Sequence, residues 1–197
     1  MKTIGIMGGT FDPIHVGHLI AAQAALNTGR LDEVWFIPTY DAPLKEQHST
    51  ASASHRLEMV TLAIEDNPQF KVNNIEQLRG GTSYSIDTVT ALVEQYPDYA
   101  FSYIIGSDRI NDLVKWHRIE QLAELVTFIG LERPSDQFQW NVIPDYLRVR
   151  ISLADMPLIG ISSTNIRQKL SRSLSVRYEV PDQVLQYIRR HKLYVAE

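Results

Sequence analysis

The chain contains no cysteine. Disulfides, thiolate zinc sites, iron–sulfur clusters and a cysteine nucleophile are therefore excluded. The absence says little about compartment, because a chain without thiols suits either redox state. Long apolar runs are missing too. None approaches the roughly 18 residues that cross a bilayer. The apolar stretch Met1–Gly9 is broken by glycines and carries no cleavage-site pattern. Nor is there an excess of positive charge: 19 Lys and Arg stand against 23 Asp and Glu, a net charge of −4. That balance argues against broad nucleic-acid binding and leaves room for a local basic pocket around a small phosphorylated ligand. The expectation is a soluble cytoplasmic protein with neither a membrane nor a nucleic acid as partner.

What is present is ordinary globular composition, 197 residues of which 44% are hydrophobic and 21% charged. A chain of this length buries roughly 70% of its unfolded surface, enough for one core. One domain over 1–197 is expected, with a helical C-terminal part from about 162.

Apolar runs alternate with amphipathic segments along the chain. Thr3–Met7, Glu33–Pro38, Phe70–Asn73, Tyr99–Ile105, Leu125–Leu131 and Arg150–Leu153 read as strands. Helices are expected over Gly17–Asn27, around Leu57, Val60, Thr61 and Ile64, over Ile119–Glu124, and over Ser163–Ser171 and Pro181–His191. Ser83 or Ser85 is expected to cap a further helix, whose apolar face is Ile86, Val89, Val93 and Tyr96. Residues 39–53 read as a loop and 132–149 as irregular. The alternation predicts an α/β fold, an open, doubly wound parallel sheet with helices on both faces. Such sheets bind ligands beyond the carboxyl ends of their strands.

The segment after the first strand reads Gly8-Gly9-Thr10-Phe11-Asp12-Pro13-Ile14-His15-Val16-Gly17-His18. Paired glycines let backbone N–H groups approach a ligand, and the following helix N-terminus favours anions. His15 and His18 are three apart, so they share a face where the helix begins. Imidazoles donate to phosphate oxygens at neutral pH. The string therefore reads as a phosphate site. It is neither a P-loop nor a dinucleotide fingerprint, and His-x-x-His lacks the glutamate of a metalloprotease helix. A second segment, Ile161-Ser162-Ser163-Thr164-Asn165-Ile166-Arg167, opens a helix. Its hydroxyls and N–H groups suit an anion, and Arg167 can neutralise charge. Taken alone, it also reads as an ordinary serine-capped helix with a solvated arginine.

Together these two strings resemble the H-x-G-H and I-S-S-T-x-I-R signatures of the nucleotidylyltransferase superfamily. The form G-G-T-F-D-P-x-H-x-G-H is similar in particular to that of bacterial nicotinate-nucleotide adenylyltransferases. The resemblance implies a Rossmann-like fold and adenylyl transfer from ATP to nicotinate mononucleotide, with release of pyrophosphate. It implies that His15, His18 and Arg167 are catalytic. It implies an ATP site of Gly8, Gly9, Thr10, Phe11, His15, His18, Gly106, Asp108, Ser162, Ser163, Thr164 and Arg167. For the acceptor nucleotide it implies Lys45, Ser83, Tyr84, Ser85, Thr88, Asp108 and Trp116. Lys45 stands in Ala42-Pro43-Leu44-Lys45, where leucine replaces the histidine common in the family.

The resemblance assigns the pyridine carboxylate to the segment around Tyr84–Ser85, where free N–H groups at a helix start favour a carboxylate over a carboxamide. The pyridine ring is assigned to Trp116, which can stack on it. Mg²⁺ is expected to arrive with ATP, since no dedicated carboxylate cage for a metal is visible. Alternatives are transfer to nicotinamide mononucleotide or phosphopantetheine, or a non-catalytic nucleotide-binding protein. Homo-oligomerisation is left open. His48, His55, His117 and His191 have no supporting pattern and read as surface residues.

Overall fold

The computed structural model describes residues 1–41, 49–132 and 139–195, without the side chain of Asp108. Six strands form one sheet: β1 (Lys2–Gly9), β2 (Glu33–Pro38), β3 (Phe70–Val72), β4 (Tyr99–Gly106), β5 (Val126–Glu132) and β6 (Ile151–Asp155). All pairings are parallel, in the order β3-β2-β1-β4-β5-β6. The chain thus winds outward from β1 to β3, returns to the centre as β4, and winds out the other way. The crevice beyond β1 and β4, where the winding reverses, is the place such sheets offer to a ligand.

Helices cover both faces. On one side lie α1 (Val16–Leu26), α2 (Ala53–Ile64), α7 (Ser163–Ser171) and α8 (Asp182–Arg190). On the other lie α3 (Ile75–Arg79), α4 (Ser85–Gln95), α5 (Ile119–Leu125) and α6 (Asp145–Arg148). Strand side chains alternate between the two cores. Val34 and Phe36 face the first core while Trp35 and Ile37 face the second. Burial on both faces is why these strands read as continuous apolar runs rather than alternating ones.

The expected strands are present in their order along the chain, Glu33–Pro38 with the same bounds and the others with ends shifted by at most two residues. Four differences have local causes. The helix near Leu57 begins earlier, at Ala53, because Ser52 accepts from the His55 N–H. The cap of α4 is Tyr84 in extended conformation, and neither serine takes that place. Ser83 instead accepts from the Tyr40 N–H, and Ser85 donates to the Tyr103 hydroxyl. A 3-10 segment, Ser107–Lys115, follows β4 where no element was expected. The short helices α3 and α6 likewise lay unread in segments too brief for a periodic signal.

Arg56 joins the loops at the strand ends. Its side chain is buried, with 1% exposed. It donates to the carbonyls of Thr10 (2.7 Å), Thr39 (2.7 Å), Tyr40 (3.2 Å) and Ala51 (3.3 Å). These oxygens belong to the segments after β1, after β2 and before α2. Asp12, also buried, ties the same region together. Its carboxylate accepts the Thr50 N–H (2.8 Å), the Ala51 N–H (3.1 Å) and the Tyr194 hydroxyl (2.7 Å). Burial, then the Asp12 charge, holds the Tyr194 phenol well above its usual range, so it stays a donor. Replacing Arg56 with methionine removes the guanidinium from all four carbonyls at once. Urea unfolding of Arg56→Met should show a loss of about 3 kcal/mol or more, and a loss below about 1 kcal/mol would mean the loops do not depend on it.

Candidate functional site

The loop from Gly8 to His18 lies at the carboxyl end of β1, beside Gly106 at the end of β4. Gly8 has to lack a side chain: a Cβ there would sit 2.5 Å from the Tyr103 hydroxyl. Gly17 makes room in the same way for His15, whose ring a Cβ would meet at 3.0 Å. His15 is the N-cap of α1 and His18 its third residue. The backbone N–H of His15 donates to Nδ1 of His18 at 3.2 Å, so the neutral His18 ring carries its proton on Nε2. The two rings stack, with centroids 3.7 Å apart and planes 23° from parallel.

His15 is 7% exposed, and its Nδ1 is buried with no hydrogen-bond partner. Burial pushes its pKa down to about 4, although the Glu179 carboxylate pulls the other way. His15 is therefore a neutral imidazole at pH 7.

The second segment meets the first directly. Ser162 caps α7 by accepting from the Asn165 N–H. Ser163 donates to the Pro13 carbonyl at 2.9 Å, and Arg167 Nη1 donates to the Asp12 carbonyl at 2.8 Å. Partners 150 and 155 residues apart in sequence are thereby fastened to one loop. Arg167 sits in the second turn of α7.

These elements enclose a cavity of about 870 Å³, within the range of small-molecule sites. Gly8, Gly9, Thr10, His15, His18 and Gly106 line it, as do Ser162, Ser163, Thr164 and Arg167. So do Ser83, Tyr84, Ser85 and Trp116. Two expected residues stand behind the wall. Phe11 is buried and packs edge-on against His18, with centroids 5.0 Å apart. Thr88 is buried and donates to Glu76 Oε1 at 2.8 Å. The backbone of Asp108 lies in the 3-10 segment directly after β4. Lys45 falls outside the described residues.

Part of the lining is aromatic. Trp116 meets Tyr103 edge-on at 5.3 Å, and Tyr84 tilts against His117 at 4.5 Å. Sequence reasoning missed Glu76, Tyr103, Arg109, Lys115 and His117, all on the lining. A tyrosine among the aliphatic residues of β4 was a usable signal. A glutamate in a one-turn helix offered none.

The sequence pattern of the cytidylyltransferase-like family matches residues 6–169. A probable nicotinate-nucleotide adenylyltransferase of Oceanobacillus iheyensis is 46% identical over 194 residues, covering 98% of this chain and 97% of that one. The nicotinate-nucleotide adenylyltransferase of Bacillus subtilis is 41% identical over 194 residues, with 98% and 99% covered. Among solved structures, the nicotinic acid mononucleotide adenylyltransferase of Plasmodium falciparum complexed with NaAD superposes with a TM-score of 0.81. At 23% identity, with 98% of each chain covered, that likeness concerns the fold.

The lowered pKa of His15 has a consequence for stability. The unfolded chain takes up a proton near pH 6.5 whereas the folded one resists until about 4. Stability from this group is therefore complete above pH 6.5 and is lost as pH falls toward 4. Between pH 7 and pH 4 the protein should lose about 3 kcal/mol more than a His15→Gln variant in denaturant unfolding. Equal losses would place the imidazole in a wetter setting than this one.

Proposed function

From the premise that the chain belongs to the cytidylyltransferase-like family, and within it to the nicotinate-nucleotide adenylyltransferases, we propose that it transfers the adenylyl group of ATP to nicotinate mononucleotide. The products are nicotinate adenine dinucleotide and pyrophosphate. The observation that carries this reading is the fastening of Ser163 and Arg167 to the carbonyls of Pro13 and Asp12, on the wall of one cavity with His15 and His18.

A phosphate oxygen of the mononucleotide attacks the α-phosphorus of ATP. The new O–P bond forms as the bond to the bridging oxygen breaks, and pyrophosphate leaves with that electron pair. The attacking oxygen is already ionised at neutral pH, so no general base is required. The barrier lies in bringing two polyanions together and in steadying the charge that shifts toward the leaving group. His18 would donate from Nε2 to a phosphate oxygen. His15, neutral and buried, would add a donor without a second full charge beside it. The first N–H groups of α7 and the Arg167 guanidinium would hold the departing phosphates.

In this reading Gly8, Gly9, Thr10 and Gly106 give close backbone approach to ATP, with Asp108 at the ribose. Phe11 keeps the His18 ring in place from behind. Lys45, outside the described residues, remains a proposed partner of the mononucleotide phosphate. Tyr84, Ser85 and Trp116 take the pyridine end, with the ring against the indole and its carboxylate at the start of α4. Thr88 would act there by steadying the first turn of α4. A divalent cation would enter with the ATP phosphates as part of the substrate. Among the described residues no group of three or more His, Asp or Glu is arranged to hold an ion.

The whole of 1–197 is read as one catalytic unit, because α7 and Tyr194 are bonded to the β1 loop. A cytoplasmic location is proposed with this activity. Among the described residues no helix is long and apolar enough to cross a membrane.

His18→Ala should lower kcat by about 100-fold or more while the circular dichroism spectrum stays native. Turnover close to normal would remove His18 from the reaction. With ATP present, pyrophosphate release should be fastest with nicotinate mononucleotide, slower with the nicotinamide form and absent with phosphopantetheine. A preference for the amide would overturn the assignment of the acceptor.

A further inference from the structure

Glu76 is a carboxyl group that the reaction above does not use. It is the second residue of α3, 4% exposed, and it lines the cavity beside Ser83, Tyr84 and Ser85. Its two oxygens differ. Oε1 accepts from the Thr88 hydroxyl at 2.8 Å, within the first turns of α4. Oε2 is buried and has no hydrogen-bond partner. An orphaned carboxylate oxygen is costly, and a native structure that keeps one generally gives it work.

The groups facing it come from every side. Arg79 of α3 is attractive, and its Nη2 donates to the Thr88 hydroxyl at 3.1 Å. Arg56 of α2 lies within range of its field, but that cation is committed to four carbonyls. Tyr103 of β4 is a buried phenol held up to about 12, so it is neutral and brings no charge. The Ser83 hydroxyl and the Tyr40 amide also act on the carboxyl as donors and favour its charged form. Burial outweighs these partners and pushes the Glu76 carboxyl above the usual carboxylate range.

A pyridine carboxylate seated at the start of α4 would share this wall with Glu76. Two carboxylates in one desolvated pocket do not both stay ionised, and one proton between them turns repulsion into an O–H···O⁻ bond. We propose that Glu76 is a specificity-determining residue, taking up a proton from solvent when the pyridine acid binds and donating it through Oε2 to the ligand carboxylate. A carboxamide brings no negative charge and elicits no uptake. The preference for acid over amide is then pH-dependent, strongest in mild acid and declining as the pH rises. This rests on the acceptor assignment made above.

Isothermal titration calorimetry with nicotinate mononucleotide and nicotinamide mononucleotide separates the two. Each titration is run in buffers of differing ionisation enthalpy from about pH 6 to about pH 9. The phosphate is common to both ligands, so its own protonation cancels in the difference between them. With the wild-type protein, the acid should take up as much as about one proton more than the amide somewhere in that range. Glu76→Gln, which keeps the acceptor for Thr88, should abolish the difference and flatten the pH dependence of acid binding. Acid binding with the same proton count as the amide at every pH would overturn the role of Glu76 and leave the acceptor assignment standing. Failure of the acid nucleotide to bind at all would overturn the acceptor assignment itself.

Discussion

The carbonyl oxygens of the β1–α1 loop decide how the rest of the site is built. Thr10, Asp12 and Pro13 give theirs to Arg56, Arg167 and Ser163. The three donors arrive from α2 and α7, far along the chain. These bonds fix the loop against the cavity it lines. On the proposed function, fixing the loop and preparing a phosphate site are one event. Asp12 reinforces it, since its carboxylate ties the same turn to Thr50, Ala51 and Tyr194.

This arrangement explains how a mildly acidic protein can receive two polyanions. It does so with few full charges. One stacked imidazole is held neutral by burial, its neighbour is set as an Nε2 donor by a backbone N–H, and a guanidinium is anchored by a carbonyl. Donors fixed before the ligand arrives need little reorganisation as charge moves during transfer. Another part of the lining is built differently, from aromatic rings and a buried carboxyl. On the proposed function, that contrast separates where the phosphates sit from where the pyridine ring sits.

Much of this was legible beforehand. The strands were readable because both faces of a parallel sheet are buried, which makes Glu33–Pro38 and Tyr99–Gly106 apolar almost throughout. The cavity-lining loop Gly8–His18 was readable because glycines, histidines and a helix start fall together in a short span. Other features depend on partners distant in sequence. Ser83 and Ser85 look like helix caps, yet Tyr40 and Tyr103 engage their hydroxyls, so Tyr84 takes the cap position. Phe11 and Thr88 belong to motifs that line the cavity, but their own side chains turn into the core. Arg56 belongs to none of the motifs, and only the meeting of three loops makes burying it favourable.

The central claim is that the two motifs grip one triphosphate. A double-mutant cycle on binding of a non-hydrolysable ATP analogue tests it most directly, with His18→Ala, Arg167→Ala and the pair together. Shared contact with one ligand predicts a coupling of about 1 kcal/mol or more between the two losses. Losses that add to within about 0.3 kcal/mol would contradict it, because independent sites behave in that way.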